Sequence, residues 1–229
     1  MNIAIILAGG TGTRLGADIP KQYIEVGGKP IIAYCLEKFE NHPRIDDVIV
    51  VAAPAWIPFV EEWTERCAFK KVSACVQGGS SRQHSIMNGL AYLKEKQVSD
   101  DALVIIHDAA RPCVTDALID ALIDGLGDAC GTMPVLPVKD TIYLSKDGTK
   151  IDGLLNRSEL FAGQAPELFR FGPYYDINCV LSEAELETVR GTSEIAYRNG
   201  LSVNLVPGDE DNYKITTKAD LERFMTQTL

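Results

Sequence analysis

The chain opens with an apolar stretch, Asn2-Ile-Ala-Ile-Ile-Leu7, which runs directly into the glycine-rich segment Ala8-Gly-Gly-Thr-Gly-Thr-Arg-Leu-Gly16. Pro20-Lys21-Gln22 follows shortly after it. An apolar strand that ends in glycines predicts a strand-to-helix turn, and glycine lets backbone N–H groups approach a ligand without interference from a Cβ atom. Arg14 and Lys21 place two positive charges beside those N–H groups. The segment therefore predicts a polyphosphate site rather than a turn that binds nothing.

The spacing of this segment differs from that of two common phosphate loops. A Walker A loop carries Gly-Lys-Ser/Thr at the start of a helix, whereas here Lys21 lies beyond the loop and Gln22 follows it. The dinucleotide fingerprint needs Gly-x-Gly-x-x-Gly, but Gly10, Gly12 and Gly16 are spaced with one residue too many. We therefore expect a phosphate loop of a third type.

The composition indicates a globular enzyme rather than a nucleic-acid or membrane protein. Hydrophobic residues make up 46% of the 229 residues, so we expect one domain over residues 1–229 with a sizeable core. The net charge of −10 argues against a nucleic-acid or anionic-membrane surface. No apolar run approaches the roughly 20 residues that a membrane helix needs. The six cysteines form no Cys-x-x-Cys pair, so we interpret them as buried small side chains in a reducing cytoplasm, without zinc.

The order of the predicted elements indicates an α/β fold with a doubly wound sheet. Short stretches rich in Val and Ile alternate with helix-like stretches. The predicted strands are Asn2–Leu7, Val48–Val51, Val72–Val76 and Leu103–Ile106, and the predicted helices are Pro30–Phe39, Trp56–Arg66 and Ser81–Glu95. This alternation predicts a mostly parallel, Rossmann-like sheet with helices on both faces. Ligands bind at the carboxyl ends of such strands, which is where the glycine segment falls.

The pattern changes after Asp128. The further predicted strands are Thr132–Val138, Asp140–Leu144, Ile151–Leu155 and Asp211–Thr217, the last leading into a helix through a threonine cap. Lys146–Thr149 supplies a hairpin turn. We interpret residues 139–157 as a protruding β-hairpin dimerisation arm that reaches a partner subunit. The alternative is an antiparallel edge of the same sheet.

Four groups of polar residues lie at or near the ends of predicted strands. They are Gln77–Ser85, His107–Pro112, Asn156–Ser158 and Asp211–Thr217. The first has two glycines, several hydroxyls and an arginine at a helix start, which suits a pyrimidine base or a phosphate. In the second, Asp108 falls beside the glycine segment, where a carboxylate would repel phosphates unless a divalent cation lies between them. Asp108 is therefore a candidate Mg²⁺ ligand, and the alternative is a local ion pair with Arg111.

Together these groups resemble one family. The matching segments are the glycine segment, Pro20-Lys21-Gln22, Gly78-Gly79-x-x-Arg82, His107-Asp108-Ala109-Ala110-Arg111-Pro112 and Asp211-Asn212-x-Lys214. They are similar to those of the cytidylyltransferases of the 2-C-methyl-D-erythritol 4-phosphate type, whose superfamily includes ribitol-5-phosphate cytidylyltransferases. The resemblance covers nearly the whole chain. It implies transfer of CMP from CTP to a polyol phosphate with release of pyrophosphate, in isoprenoid precursor synthesis where the acceptor is methylerythritol phosphate.

The resemblance also implies a role for each matched residue. Catalysis falls to Arg14, Lys21, Arg157 and Lys214. CTP binding falls to Leu7, Ala8, Gly9, Gly10, Thr11, Gly12, Gly78, Gly79, Arg82, Ser85, Asp108 and Ala109. The residues that the resemblance implies for binding the polyol phosphate are Arg111, Thr141 and Thr192, and those implied for binding Mg²⁺ are Asp108 and Asp211. The family is a homodimer in which arm exchange brings the residue equivalent to Arg157 into the neighbouring site.

The chain departs from the family pattern near the predicted acceptor site. Ala165-Pro166-Glu167 stands where the family usually carries Thr-Pro-Gln, and Thr192-Ser193-Glu194 where it usually carries Thr-Asp-Glu. Because Ala165 and Ser193 lack the usual hydroxyl and carboxylate, we expect only modest selectivity between methylerythritol phosphate and ribitol 5-phosphate. We favour the methylerythritol acceptor.

Three alternative functions stay open. Ribitol 5-phosphate is the second acceptor, and its product would serve surface glycans. An inactive nucleotide-sensing module is a function of another class, and the retention of Lys21, Asp108 and Arg157 argues against it. A nucleotidyltransferase for another base is the third alternative.

Overall fold

The structure is a computed structural model that describes residues 1–10, 19–189 and 191–228. The strands of the main sheet are β1 (Asn2–Ala8), β4 (Asp47–Ala52), β5 (Val72–Gln77), β6 (Leu103–Asp108), β7 (Gly131–Pro137), β10 (Phe161–Gly163), β11 (Glu167–Arg170) and β12 (Val203–Pro207). Two short pairs lie outside it: β2 (Glu25–Val26) with β3 (Lys29–Pro30), and β8 (Tyr143–Leu144) with β9 (Gly153–Leu154). The helices are α1 (Ile31–Asn41), α2 (Ile57–Arg66), α3 (Arg82–Glu95), α4 (Asp116–Asp124), α5 (Phe171–Cys179), α6 (Glu183–Thr188), α7 (Thr192–Arg198) and α8 (Lys218–Thr228).

The main sheet is mostly parallel. Strand β1 pairs in parallel with both β4 and β6, and β5 extends the sheet beyond β4. Beyond β6 the order continues through β11 to β7, and β12 pairs in parallel with β7. Strands β10 and β11 run antiparallel to their neighbours. The predicted Rossmann-like, mostly parallel sheet is confirmed.

The apolar runs of the parallel strands are explained by two cores, one on each face of the sheet. In β1, Ala4 and Ile6 pack with α1, α2 and α4, whereas Ile3 and Ile5 pack with α3 and α5. Alternate residues of a strand point to opposite faces, so a strand covered on both sides needs apolar residues at every position. Each such side chain contributes about 1.5–3 kcal/mol through burial. The strand ends are thereby held rigidly for the site.

The predicted elements of the first half are confirmed, with small shifts at their ends. Pro30 precedes the first turn of α1, and Ser81 caps α3 by accepting a hydrogen bond from the His84 backbone N–H. The predicted helix at Trp56–Arg66 begins one residue later, because Pro54–Trp56 forms a separate 3-10 turn. Among the described helices, none is long and apolar enough to cross a membrane.

The prediction of a strand at Asp211–Thr217 is wrong. This segment crosses the end of the sheet as an irregular stretch, in which the Asn212 side chain donates to the Ala165 carbonyl at 2.7 Å and the Ile215 N–H donates to the Ala110 carbonyl at 2.9 Å. The strand that pairs with β7 is β12 instead, and no strand was predicted there. The predicted threonine cap is present, since the Thr217 hydroxyl accepts from the Asp220 N–H at 3.2 Å.

Residues 143–154 form a separate two-stranded ribbon, shorter than predicted. Only two residues on each side pair, and Asp147 and Gly148 make the turn between them. Strands β8 and β9 pair with each other rather than with the main sheet. Their side chains are exposed, so little packing extends the pairing. That the ribbon is a dimerisation arm stays a prediction.

Candidate active site

The carboxyl ends of β1, β4, β5 and β6 lie along one edge of the sheet, because these four strands are parallel. Gly9 and Gly10 follow β1 there, Gly78 and Gly79 follow β5, and Asp108 ends β6. The Gly78 N–H donates to the carbonyl of Ala52 at 2.8 Å, which ties the end of β5 to the end of β4. The sheet thus gathers three sequence-distant segments around one site.

Gln22 fixes the end of β1. Its side-chain amide donates to the carbonyl of Ala8 at 2.6 Å and to that of Gly10 at 2.8 Å, and the Tyr23 hydroxyl donates to Ala8 at 3.0 Å. Pro20 begins the 3-10 turn that carries both side chains. Lys21 belongs to the same turn and lines the cavity beside Gly9 and Gly10.

The turn from β5 into α3 is closed by Ser85. The Gly79 N–H donates to the Ser85 hydroxyl oxygen at 3.1 Å, and that hydroxyl donates to the Ser81 carbonyl at 2.9 Å. A Cβ atom on Gly79 would lie 2.4 Å from the Cγ atom of His84, so the turn requires glycine. Arg82 is the first residue of α3, and its guanidinium reaches Asp108.

Asp108 is the charged centre of the site. Its carboxylate lies 2.9 Å from Lys214 Nζ, 3.3 Å from Arg82 Nε and 3.8 Å from Arg111 Nε. Burial alone would raise the pKa of the Asp108 carboxyl, but Arg82 and Lys214 hold that pKa well below its usual range. Three cations therefore share one ionised carboxylate, and the surplus positive charge suits a phosphate. The alternative prediction, a local ion pair between Asp108 and Arg111, is confirmed in part, because Arg111 is one of the three cations around Asp108.

Two cavities meet at this centre. The first has a volume of about 400 Å³ and lies between the glycines that follow β1 and the turn into α3. The second has a volume of about 640 Å³ and lies beneath β7, β10 and β12. Arg82, Asp108 and Lys214 line both cavities and form a shared wall between them. Both volumes are in the range of small-molecule sites. Two ligands can thus meet at one charged wall.

The second cavity carries a buried carboxylate, Glu167. Its Oε2 atom accepts hydrogen bonds from the Ser193 N–H, at 2.9 Å, and from the Ser193 hydroxyl. Burial raises the pKa of the Glu167 carboxyl, and the Ser193 hydroxyl and the Arg82 charge oppose that rise. Met133, Leu201 and Val203 are apolar residues that line the same cavity.

The structure brings together many of the residues predicted for the site. Those that line the first cavity are Leu7, Gly9, Gly10, Lys21, Gly79, Arg82, Ser85, Asp108 and Lys214, and Arg111 lines the second. Ala8, Gly78 and Ala109 lie in the adjoining backbone without lining either cavity, and Thr192 is buried behind Arg82, whose Nη1 donates to the Thr192 hydroxyl at 2.6 Å. Thr11, Gly12 and Arg14 lie outside the described residues.

Thr141 and Arg157 are not brought to the site of their own chain. Both are exposed, and neither lines either cavity. Arg157 lies at the base of the ribbon, where its Nη1 donates to the Lys139 carbonyl at 2.7 Å. The role of Thr141 stays a prediction, and that of Arg157 stays a prediction that requires a second subunit.

The two predicted metal ligands are placed differently. Asp108 lines both cavities, whereas Asp211 lines neither and pairs with Arg223 at 2.6 Å. Within the described ranges, no three His, Cys, Asp or Glu residues cluster as a metal site would require. Magnesium is commonly held by one or two carboxylates together with substrate phosphates, so Asp108 fits such an ion and Asp211 gains no support.

Sequence reasoning missed the positioning residues. Gln22 belongs to the Pro20-Lys21-Gln22 motif, but nothing in the sequence shows that its amide binds the backbone carbonyls of Ala8 and Gly10. Asn212 likewise belongs to a recognised motif, and its backbone carbonyl accepts from Arg111 Nη1 at 2.6 Å. Glu167 could have been found, because it falls in one of the two departures from the family pattern.

These features define a class. A glycine turn with a lysine beside it, at the carboxyl ends of a doubly wound sheet and next to a second cavity for an acceptor, is the site of a nucleotidyltransferase. The family model for 2-C-methyl-D-erythritol 4-phosphate cytidylyltransferase, IspD, matches residues 2–226. The chain belongs to that family.

Known proteins similar to the chain agree with this assignment. A 2-C-methyl-D-erythritol 4-phosphate cytidylyltransferase of Geobacter metallireducens is 37% identical over 99% of the chain and 98% of its own length. A ribitol-5-phosphate cytidylyltransferase of Lacticaseibacillus paracasei is 34% identical over 98% and 96%. The crystal structure of a Francisella tularensis 2-C-methyl-D-erythritol 4-phosphate cytidylyltransferase superposes with a TM-score of 0.81, at 28% identity and 99% coverage of both chains.

We predict that Asp108→Asn lowers the free energy of unfolding at pH 7 by about 3–5 kcal/mol, because it removes the carboxylate that three cations share. The folded pKa lies below the unfolded one, so this stabilisation is present above about pH 4 and is lost as the pH falls through the folded value. Urea unfolding at pH 7 and at about pH 3 measures the difference, which should narrow in acid.

Asp211→Asn is the matched control for this measurement. It removes an exposed carboxylate paired with Arg223, and we expect a change of about 0–1 kcal/mol. Equal losses in the two variants would contradict the central role of Asp108 in the charge balance.

Proposed function

We propose that this protein transfers CMP from CTP to 2-C-methyl-D-erythritol 4-phosphate, releasing pyrophosphate. The observation that carries the proposal is the wall shared by the two cavities. CTP occupies the first cavity, with its phosphates at the glycines and Lys21, and the polyol phosphate occupies the second. The acceptor phosphate then meets the α-phosphorus of CTP at Arg82, Asp108 and Lys214.

The charges determine the mechanism. A phosphate oxygen of the acceptor attacks the α-phosphorus in line, and pyrophosphate leaves. Two anions must approach each other, so positioning and charge neutralisation carry the catalysis. Lys21 stabilises the charge of the CTP phosphates, and Lys214 and Arg111 hold the incoming phosphate.

No histidine is needed as a general base, because the acceptor phosphate dianion is already a nucleophile. His107 is the histidine next to Asp108 in the sequence, and burial lowers its pKa to about 4. It is therefore neutral near pH 7. Its Nε2 atom lies 3.0 Å from the Arg111 carbonyl, so His107 supports the turn that carries Asp108 and Arg111.

Asp108 is the residue that fits a Mg²⁺ ion brought with CTP. A bound magnesium ion supplies positive charge to the phosphate oxygens of the nucleotide. Because Asp108 also holds Arg82 and Lys214, its carboxylate would join the ion to the shared wall.

Ribitol 5-phosphate is the second candidate acceptor. It is supported by the ribitol-5-phosphate cytidylyltransferase at 34% identity, a value close to that of the methylerythritol relatives. The second cavity also presents several polar groups that a polyol chain can use. Matches to methylerythritol enzymes both among relatives and among solved structures favour the first acceptor.

We expect purified protein with CTP, Mg²⁺ and methylerythritol phosphate to release pyrophosphate and form the CDP-polyol. ATP, GTP and UTP should be poor donors, and removal of Mg²⁺ by EDTA should abolish turnover. Pyrophosphate release with each nucleotide, and then with ribitol 5-phosphate as acceptor, measures both specificities. If CTP releases no pyrophosphate with either acceptor, the proposal is refuted.

We predict that Lys21→Ala lowers kcat/KM for CTP by about 10²–10⁴-fold, the effect of removing one preorganised charge donor. Lys38→Ala is the control, since Lys38 is an exposed lysine on α1 that lines neither cavity. Both variants should unfold near the wild-type temperature. If folded Lys21→Ala turns over CTP at the wild-type rate, Lys21 does not stabilise the CTP phosphates.

We further propose that the protein is a homodimer in which the ribbon of one subunit completes the site of the other. The ribbon exposes large apolar side chains: Tyr143, Ile151 and Leu154 are 57%, 66% and 66% exposed. Contiguous apolar surface of this kind is typical of an interface. Arg157, at the base of the same ribbon, would then enter the partner's site.

Mixing Lys21→Ala with Arg157→Ala protein tests this exchange. Each variant alone should be nearly inactive, and a mixed dimer contains one site free of both changes. We expect partial recovery of turnover after subunit exchange, verified with differently tagged chains. A mixture that stays inactive despite verified exchange would show that Arg157 does not act across the interface.

A further inference from the structure

The two departures from the family pattern contact each other in the second cavity. Glu167 begins β11 and Ser193 lies in the first turn of α7, yet both groups of Ser193 donate to the same carboxylate oxygen of Glu167. The family usually carries an amide at the first position and a carboxylate at the second. In this chain Glu167 supplies a carboxylate at the first position and Ser193 a hydroxyl at the second. The pair therefore keeps one negative charge, but on the other residue of the contact.

In this chain the negative charge is at Glu167, where it acts on two arginines. Glu167 interacts electrostatically with Arg82 and with Arg111, which both also hold Asp108. Glu167 is 7% exposed and lines the second cavity only. A buried carboxylate that is compensated by cations stays available as a strong hydrogen-bond acceptor.

The Glu167 carboxylate has room for a ligand. A carboxylate offers about four lone-pair positions. Among the described residues, the Ser193 N–H, the Ser193 hydroxyl and the Thr192 hydroxyl are its hydrogen-bond donors. A further donor can therefore come from the cavity.

Other acceptors that line this cavity are held by the protein. The Gln164 side chain bonds both the carbonyl and the N–H of Asp209, at 2.9 and 3.0 Å. The Glu194 carboxylate pairs with Arg198 at 2.5 Å and accepts from the Gly191 N–H at 3.2 Å. Asp108 is held by the three cations of the wall. Of the two described glutamates that line this cavity, Glu167 is the one whose charge acts on Arg82 and Arg111, so we single it out as the carboxylate that contacts a ligand.

We propose, on the basis of the function proposed above, that Glu167 is a specificity-determining residue which accepts a hydrogen bond from a hydroxyl of the acceptor's polyol chain, with Ser193 as its positioning residue. The acceptor phosphate must lie at Lys214 to reach CTP, and Glu167 lines only the second cavity. As part of this proposal it is assigned a hydroxyl remote from the phosphate, because Lys214 lines both cavities whereas Glu167 lines the second alone. Glu167 would thereby select acceptors that carry such a hydroxyl over shorter polyol phosphates.

Three variants test the pair: Glu167→Gln, Ser193→Asp and the double variant, which restores the amide and carboxylate of the family pattern. Glu167→Gln should raise the acceptor KM about 10–100-fold and leave the CTP KM within about twofold, as expected for loss of a charge-assisted hydrogen bond. Ser193→Asp places two carboxylates in contact and should lose more. The double variant should recover to within about tenfold of wild type.

A shortened acceptor separates recognition from a structural effect. Glycerol 3-phosphate lacks the remote hydroxyls, so its binding should be insensitive to Glu167→Gln, whereas binding of methylerythritol phosphate and ribitol 5-phosphate should weaken. Glu187→Gln, an exposed glutamate on α6, is the matched control. Calorimetric titration in the presence of a non-reactive methylene analogue of CTP measures binding without turnover.

An unchanged acceptor KM in folded Glu167→Gln would overturn the proposal, as would equal weakening of glycerol 3-phosphate. If the increases in acceptor KM of the two single variants simply add in the double variant, Ser193 does not position Glu167. The titration also keeps this inference separate from the proposed reaction. Wild-type protein that binds a polyol phosphate through Glu167 without releasing pyrophosphate would refute the reaction and support the residue's role. Absence of any acceptor binding would refute both.

Discussion

The site depends on the contact between the Asp108 carboxylate and the cations of Arg82, Arg111 and Lys214. These residues come from β6, α3, the loop after β6 and the segment before α8, so one carboxylate joins four parts of the chain. The carboxylate offsets the mutual repulsion of these three cations, which lie close together around it. The same carboxylate is also what keeps the wall from being purely positive. A wall with a partly balanced charge can hold phosphates and still release a product.

The two cavities share this wall, and that arrangement links them energetically. A ligand that draws Lys214 or Arg82 toward its phosphate weakens the hold of those side chains on Asp108. Whatever binds in the other cavity then meets an altered charge balance. Substitution of a residue in this wall should therefore change the binding of both ligands. Glu167 lies on the acceptor side of the wall, where its charge acts on Arg82 and Arg111.

The fold was predictable where the pattern of apolar residues is strong. The continuous Val and Ile runs of β1, β4 and β6 reflect burial on both faces, and they predicted the parallel sheet almost to the residue. The segment at 211–217 misled because Tyr213 and Ile215 alternate with polar residues as in a strand, yet Ile215 is buried against α8 and its backbone makes one contact with Ala110. Most of the residues that line the first cavity were predictable from local motifs. The contact of Glu167 with Ser193 was not, since the two residues are 26 positions apart and only the fold joins them.

The contacts made by Gln22 fix the orientation of the peptide group between Ala8 and Gly9. In a trans peptide the C=O and N–H point in opposite directions, so fixing the Ala8 oxygen on Gln22 and Tyr23 also fixes the direction of the Gly9 N–H. The dipole of that peptide is thereby locked by a neutral amide, which does not titrate in the pH range of a living cell. The Gly9 N–H therefore keeps its direction as the pH changes, and this part of the site is held in place without a charged side chain.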